Sequence, residues 1–173
     1  MLTTAVLAAL VMAPLPAACA TPPATPKYPV PEGFPDVDAY SAVNLADYAK
    51  MGAHPSMSGY VFHSPSGIMC RAALIDDGGA SCTNGGVAPG PDNSVRASTM
   101  EPGHFLLMKP GDGVTNVLPV GSKLDTTNGI VCAMIADDEI ACRTGYNEDI
   151  DPKKHPQYGI HGFVAKPGAS WTF

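Results

Sequence analysis

Four of the five cysteines fall in two local pairs, and paired cysteines can form either disulfides or a metal site. Cys70 and Cys82 close one segment, and Cys132 and Cys142 close another. Zinc sites usually contain ligands about two to four residues apart, and neither pair is that close. We therefore expect structural disulfides and no metal ion. Four cysteines allow three pairings, and sequence alone leaves the crossed pairings open.

The cysteine pairs lie in two stretches that repeat one another and have the pattern of β-hairpins. Residues 66–70 (SGIMC) match residues 128–132 (NGIVC), and the match extends without gaps over residues 62–70 and 124–132. Each pair encloses an odd number of residues, as a three-residue or five-residue hairpin loop requires. Opposed residues in antiparallel strands lie close enough for a disulfide. The repeat predicts the pairs Cys70–Cys82 and Cys132–Cys142, whether it reflects duplication or common demands of turns and core.

Alternation along these hairpins places the cysteines on the core face. The opposite face of the returning strands carries Ser81, Thr83, Ala141 and Arg143. We expect that face to be more solvated on the returning strands. On the outgoing strands the same face carries Met69 and Val131, which predicts central strands that are covered on both sides.

Catalytic residues are the next candidates, and the nearest approach to a nucleophile and base is His63 beside Ser64. Adjacent strand residues point to opposite faces, so this pair makes a poor dyad. His161 lies in a histidine-glycine-phenylalanine sequence typical of a strand start. The chain contains neither a G-x-S-x-G elbow nor an S-x-x-K motif. We expect no catalytic residues, no cofactor and therefore no enzyme.

Acidic residues cluster between Tyr146 and Gln157. Asn147, Glu148, Asp149 and Asp151 carry the oxygen ligands that calcium prefers. They lack the spacing of an EF-hand and its central glycine, so we interpret the segment as a solvated loop. The net charge of -6 argues against nucleic acid or an anionic lipid surface as a partner, because both require basic patches.

The first twenty residues predict export. An apolar run from Leu2 to Met12 is followed by small residues suited to cleavage, although no Lys or Arg precedes the run. The run is too short to span a membrane. Cys19 has two interpretations: it becomes the lipidated N-terminus of a lipoprotein, or it is removed when cleavage falls before Thr21. We favour lipidation, in which two acyl chains would anchor the protein to a membrane.

The rest of the chain divides into a tether and one domain. Residues 21–58 contain a proline-rich stretch that favours extended polyproline conformation, followed by a pattern for a short helix or turn over residues 36–50. Residues 59–173 form the disulfide-stapled domain. Because glycine and proline each number 18, we predict an all-β fold, mainly an antiparallel small sandwich or barrel of short strands. The predicted strands are 59–63, 68–75, 80–83, 104–109, 116–120, 130–135, 139–143, 160–165 and 170–173.

Several short motifs together resemble a known family. They are FPD at 34–36, SPSGI at 64–68 with Cys70, GIVC at 129–132, ACR at 141–143, and HGFV at 161–164 with Trp171. The set is similar to an uncharacterised family of exported mycobacterial and related actinobacterial proteins, and it covers almost everything after the signal. The resemblance implies a secreted or lipid-anchored envelope protein with two disulfides, and it brings no catalytic residues. Residues 146–157 depart from the family pattern.

We therefore expect a non-enzymatic, exported cell-envelope protein, a rigid β scaffold that binds another envelope component or a host protein. One alternative is a secreted inhibitor of host lysozyme or of a protease. A protruding exposed loop, such as Val87 to Asn93 or Tyr146 to Gln157, would favour the inhibitor or the binding protein. A second alternative is a cell-wall hydrolase. A cleft in which His63, His161 and acidic residues converge would favour that function.

Overall fold

Two six-stranded sheets make up the fold. The computed structural model describes residues 30–52, 58–73, 79–109, 116–145 and 158–173. The strands are Ser41–Ala42 (β1), Ala49–Lys50 (β2), Gly59–His63 (β3), Met69–Ala73 (β4), Ala80–Thr83 (β5), Ser94–Ala97 (β6), His104–Leu106 (β7), Ser122–Asp125 (β8), Val131–Ala136 (β9), Glu139–Thr144 (β10), His161–Ala165 (β11) and Trp171–Thr172 (β12). The N-terminal sheet has the order β2-β3-β4-β5-β6-β7, and the C-terminal sheet has the order β1-β8-β9-β10-β11-β12. The all-β, mainly antiparallel fold is confirmed.

The two sheets repeat one another strand for strand, so that β3–β7 correspond to β8–β12. The corresponding cross-strand pairs are Phe62–Cys70 and Leu124–Cys132, then Cys70–Cys82 and Cys132–Cys142, then Cys82–Val95 and Cys142–Phe163. Both predicted disulfides are confirmed, each with its Cα atoms 4.1 Å apart. The sequence match between residues 62–70 and 124–132 is therefore also a match in space.

The hairpin turn between β9 and β10 differs from the prediction in one detail. Its strands end at Ala136 and resume at Glu139, so the turn has two residues, Asp137 and Asp138. The number of residues between the cysteines is odd because the strand pairing shifts register between Glu139 and Ile140. A β-bulge places two residues opposite one, which brings the cysteines back into register.

The main core lies between the inner faces of the two sheets. It contains both disulfides together with the largest fully buried side chains of the two halves, which include Phe62, Ile68, Leu124 and Phe163. The cysteine face is therefore the core face in both hairpins, as predicted. Burial of this apolar surface is the main force that holds the sheets together.

A second buried cluster covers the outer face of the C-terminal sheet. Phe34 and Val37 pack there against Val131, Ala141 and neighbouring outward residues. The predicted coverage on both faces is confirmed for β9 but is wrong for β4, where Met69 and Arg71 are partly exposed on the outer face. The prediction that Ala141 and Arg143 are solvated is wrong, because residues 30–40 cover them; Ala141 is fully buried and Arg143 is 3% exposed.

The folded unit also begins earlier than the predicted boundary at residue 59. β1 pairs in parallel with β8, and β2 pairs with β3, so residues 41–50 extend both sheets. The short helix expected over residues 36–50 consists of two 3-10 helices, Val37–Ala39 and Leu45–Tyr48. Only residues 21–29 of the predicted tether, together with residues 53–57, lie outside the described residues.

Within residues 59–173, the predicted strands agree within a few residues, with two omissions and one error. The omitted strands are β6 and β8, and β8 contributes a single buried side chain, Leu124. Residues 116–120 do not form a strand. Val117 makes one isolated bridge to His63, and Pro119 has no N–H with which to continue a ladder.

No helix in the described ranges is long and apolar enough to cross a membrane. The two disulfides are of the kind that persists in an oxidising, non-cytoplasmic environment. Residues 1–20, Cys19 and the acidic segment from Tyr146 to Gln157 lie outside the described residues.

Candidate binding surface

The hydroxyl of Ser64, the candidate nucleophile, stabilises a turn. Its side chain is fully buried, and its hydroxyl accepts a hydrogen bond from the backbone N–H of Ile68 at 2.9 Å. The hydroxyl also lies 2.8 Å from that of Ser66. Thr126 occupies the corresponding turn of the second repeat and accepts from the N–H of Ile130 at 3.0 Å. Both hydroxyls stabilise the entry to a disulfide hairpin.

The two candidate histidines lie on different sheets. The Nδ1 atom of His63 donates to the backbone carbonyl of Ser64 at 2.8 Å, so this nitrogen bonds the main chain of its neighbour. His161 begins β11, and its ring lies so close to Gly159 that a Cβ there would stand 2.6 Å from Nε2. Burial lowers the pKa of His161 below its ordinary value of 6.5. None of the contacts described for His63 and His161 joins the two rings. The described residues contain no group of three or more His, Cys, Asp or Glu side chains that could hold a metal ion.

The loop from Val87 to Asn93 is anchored at both ends. Val87 is 1% exposed, and the side chain of Asn93 makes paired hydrogen bonds of 2.9 Å with the backbone N–H and carbonyl of Met108. Residues 89–91 are exposed between these anchors. The loop therefore presents a three-residue proline-glycine-proline tip on a fixed base.

The outer face of the C-terminal sheet is occupied by the chain itself. The ring of Phe34 meets those of Trp171 and Phe173 edge-on, with centroids 6.0 Å and 5.0 Å away. Asp38 pairs with Arg143 at 3.0 Å. Residues 30–40 thus bind this face through aromatic packing and one largely buried ion pair, and a small pocket beside Arg143 is lined mainly by the same segment.

The outer face of the N-terminal sheet has a different character. One cross-strand row contains Val61, Arg71, Ser81, Arg96 and His104, and the next contains His63, Met69, Thr83, Ser94 and Leu106. All except Ser94 are partly exposed. None of these ten residues belongs to the buried apolar clusters of the described chain. This face, which we call the basic face, is the candidate binding surface.

Charge distinguishes the two halves. In the C-terminal half, Lys123 pairs with Asp125 at 3.2 Å and Lys166 pairs with Glu139 at 2.7 Å. The hydrogen bond to Glu139 is the main cause of a raised pKa for Lys166. Strands β2–β7 contain no Asp or Glu, although they carry a lysine, two arginines and two histidines. The strand residues of the N-terminal sheet are therefore basic in composition, although the whole chain has a net charge of -6.

Sequence reasoning found the cysteine pairs but missed the basic face. Arg71 and Arg96 are 25 positions apart in the printed sequence, and they come near one another only because β4 and β6 both flank β5. A sheet spacing of roughly 4.8 Å per strand puts their backbones about 10 Å apart. All six strand sequences lack carboxylates, and this could have indicated the basic face. The pattern can be recognised only when β6 is known to be a strand.

Comparison of the chain with family models, curated proteins and solved structures returned no match. The fold defines its class directly: a β-sandwich of two repeated, disulfide-stapled meanders. One outer face is covered by the chain's own N-terminal segment, and the other is basic.

Proposed function

We propose that this protein is a non-enzymatic, exported component of the cell envelope whose rigid scaffold presents the basic face to a binding partner. The observation that carries the proposal is the contrast between two equivalent surfaces. Residues 30–40 cover one of them, whereas the other keeps two arginines, two histidines and several apolar side chains partly exposed. The Cys70–Cys82 disulfide links β4 and β5, two of the strands that display these residues.

Crosslinking tests the position of the binding surface. A photoreactive amino acid at Ser81, in the middle of the basic face, should capture a discrete partner from intact envelopes. The same group at Ala169, in the exposed turn between β11 and β12, serves as the matched control. A partner captured from Ala169 or from the tip at residues 89–91, and not from Ser81, would place the function elsewhere. Capture from the tip would favour the inhibitor of a lysozyme or protease.

The absence of catalysis is part of the proposal and has its own test. The buried hydroxyl of Ser64 is engaged by Ile68 and is matched by Thr126 in the other repeat, which supports a turn-forming role. Muralytic, esterase and protease assays on the oxidised protein should stay at background. Activity that disappears in the His63→Ala or Ser64→Ala variant would establish the hydrolase instead.

We also propose export as a lipoprotein anchored through Cys19, in keeping with the resemblance to exported actinobacterial proteins. The apolar run at the N-terminus and the two disulfides support export. Intact mass and detergent partitioning of protein from an actinobacterial host provide the test. A diacylated N-terminal cysteine in the detergent phase is expected. An N-terminus at Thr21 in the aqueous phase would leave a freely secreted protein.

A further inference from the structure

His63 and Met69 lie opposite one another at one corner of the basic face, and the backbone determines how close they are. The two residues are cross-strand partners in β3 and β4. The backbone N–H of His63 donates to the carbonyl of Asn116, and its carbonyl accepts from the N–H of Leu118, each at 3.0 Å. Neither group therefore bonds β4. In such a non-hydrogen-bonded pair the Cα atoms lie about 4.5 Å apart and the side chains are closest.

The imidazole of His63 offers one nitrogen as a ligand. Its Nδ1 atom donates to the carbonyl of Ser64 at 2.8 Å, so the neutral ring carries its proton there and Nε2 keeps a lone pair. Histidine ligands of metal ions are commonly oriented by such a bond to a backbone carbonyl. Met69 is unbranched and has three rotatable side-chain bonds, so its sulfur can approach Nε2 without movement of either strand. Both residues are partly exposed, so an ion can reach the pair from solution.

The two donor atoms are a soft ligand set. Thioether sulfur selects monovalent copper, and imidazole nitrogen also suits copper. Strands β2–β7 contain no Asp or Glu, so they offer no carboxylate to calcium or magnesium. Arg71 lies two residues along β4 from Met69, but its guanidinium donates to the carbonyl of Ser58 at 3.4 Å. Ser58 precedes the first residue of β3, whereas His63 is the last, so this positive charge is directed away from the pair.

The fold shared by the two repeats does not require this pair. The register places Asp125 and Val131 at the same two positions of the C-terminal sheet. Asp125 pairs there with Lys123, and Val131 is buried in the cluster that residues 30–40 form with that sheet. The imidazole and the thioether are therefore specific to the first repeat, on the outer face that residues 30–40 do not cover.

We propose that His63 and Met69 bind one Cu(I) ion through Nε2 and Sδ. Each donor atom supplies a lone pair, no covalent bond breaks, and the ion keeps its oxidation state. Cu(I) accepts two ligands, so the pair is sufficient without a cluster of three or more His, Cys, Asp or Glu side chains, which the described residues do not contain. This site goes beyond the proposed function, because a protein partner of the basic face and a metal ion are separate ligands.

The test uses Ag(I), a redox-inert analogue of Cu(I), and then Cu(I) kept reduced with ascorbate. Oxidised full-length protein with the Cys19→Ser substitution is titrated, because a free thiol would bind both ions. Carbon-13 labels on the methionine methyl groups report each sulfur separately. The Met69 methyl and the His63 ring signals should shift together and saturate with one ion per chain. Met100, which is 51% exposed, is the internal control and should shift only after Met69 is saturated.

Matched variants identify the ligands. Met69→Leu keeps an apolar side chain and removes the sulfur, and His63→Gln removes the imidazole. Each should weaken Ag(I) binding at least about tenfold. His104→Gln is the control and should leave the affinity within about twofold. The Nδ1 atom of His104 also bonds a backbone carbonyl, that of Pro102 at 3.0 Å, but Arg96 and not a thioether lies opposite.

Wild-type protein supplies a second measurement, which does not depend on how well the variants fold. X-ray absorption of its Cu(I) complex should show one nitrogen and one sulfur bonded to copper. A copper environment without sulfur, unchanged affinity in Met69→Leu, or a first shift at another methionine would overturn the site. Equally tight binding of Zn(II) would also overturn it, because a soft pair should discriminate against that ion.

The ion titration and the crosslinking experiment fail independently. If Ser81 captures an envelope partner while neither Ag(I) nor Cu(I) binds, the proposed function stands and the metal site is wrong. If the ions bind at Met69 while Ser81 captures nothing, the metal site stands and the proposed partner surface is wrong.

Discussion

Residues 30–40 lie across the outer face of the C-terminal sheet, whereas the equivalent face of the N-terminal sheet carries arginine and histidine. The inner faces of the two sheets share disulfide positions and turn hydroxyls, because both must fill the same core. The outer faces do not share a core, so their residues need not be alike. Two repeats with one backbone plan can therefore have different tasks, one closing the fold and the other facing outward.

The covered face also explains why the second hairpin is more apolar. Val131, Ala133 and Ala141 point away from the main core, yet each is at most 3% exposed. Their counterparts on the first hairpin are Met69, Arg71 and Ser81, which are partly exposed. Sequence differences between the repeats thus record what lies on the outside of each sheet.

Loss of either disulfide should produce the largest decrease in unfolding free energy. The decrease should be similar for the two halves of the molecule. The sequence separations are 12 and 10 residues, so the paired variants Cys70→Ala/Cys82→Ala and Cys132→Ala/Cys142→Ala should each lose about 2 to 5 kcal/mol of unfolding free energy. Urea unfolding under non-reducing conditions measures both, with Cys19→Ser as the control. A difference above about 2 kcal/mol would break the equivalence of the hairpins.

Truncation of matched valines should separate the two outer faces. Val37, which belongs to residues 30–40 and packs on the C-terminal sheet, is 2% exposed, and Val37→Ala should cost about 2 kcal/mol. Val61→Ala makes the same change on the basic face, where the side chain is partly exposed, and should cost less than about 1 kcal/mol. Thermal and urea unfolding provide the values. Equal costs would mean that residues 30–40 contribute little to the fold.

Removal of the charge at Asp38 should have a smaller effect. Asp38→Asn removes the carboxylate that pairs with the largely buried Arg143 guanidinium, and we expect a loss of about 1 to 2 kcal/mol. Glu139→Gln breaks the more exposed pair with Lys166 and should cost less than Asp38→Asn does. High salt should reduce the effect of Glu139→Gln more than that of Asp38→Asn. A larger cost for Glu139→Gln than for Asp38→Asn would show that the contact between Arg143 and residues 30–40 contributes little stability.

The smallest effect concerns pH. Burial lowers the pKa of His161, so the unfolded chain binds a proton more readily than the folded chain does. Stability from this residue is therefore complete above the unfolded pKa of 6.5 and declines as pH falls from there toward the lower folded pKa. His161→Gln should flatten that decline between about pH 7 and pH 5. Identical pH profiles of stability for the variant and wild type would show that His161 does not contribute to the pH dependence.

Local pattern was sufficient for the hairpins. Strand alternation, the repeat and the spacing of Cys70–Cys82 and Cys132–Cys142 are properties of neighbouring residues, and they predicted the disulfides and the core face. The hydroxyl pattern in Ser64–Ile68 and Thr126–Ile130 was visible as part of the repeat, although its hydrogen bonds were not. The boundary at residue 59 was wrong because residues 30–42 find their partners far along the chain, in β8 and on the outer face of the C-terminal sheet.

The amino-acid sequence by itself determined an all-β fold, two hairpin disulfides and an overall acidic protein, since each depends on composition or on residues close together in the chain. Only the tertiary structure decided which outer face is covered. Arg143 meets Asp38 across a separation of 105 residues, and no local pattern reports such a contact. The basic face has the same origin: its residues share a surface because pairing of β3–β7 places them in rows, and residues 30–40 bury the other outer face and leave this one partly exposed.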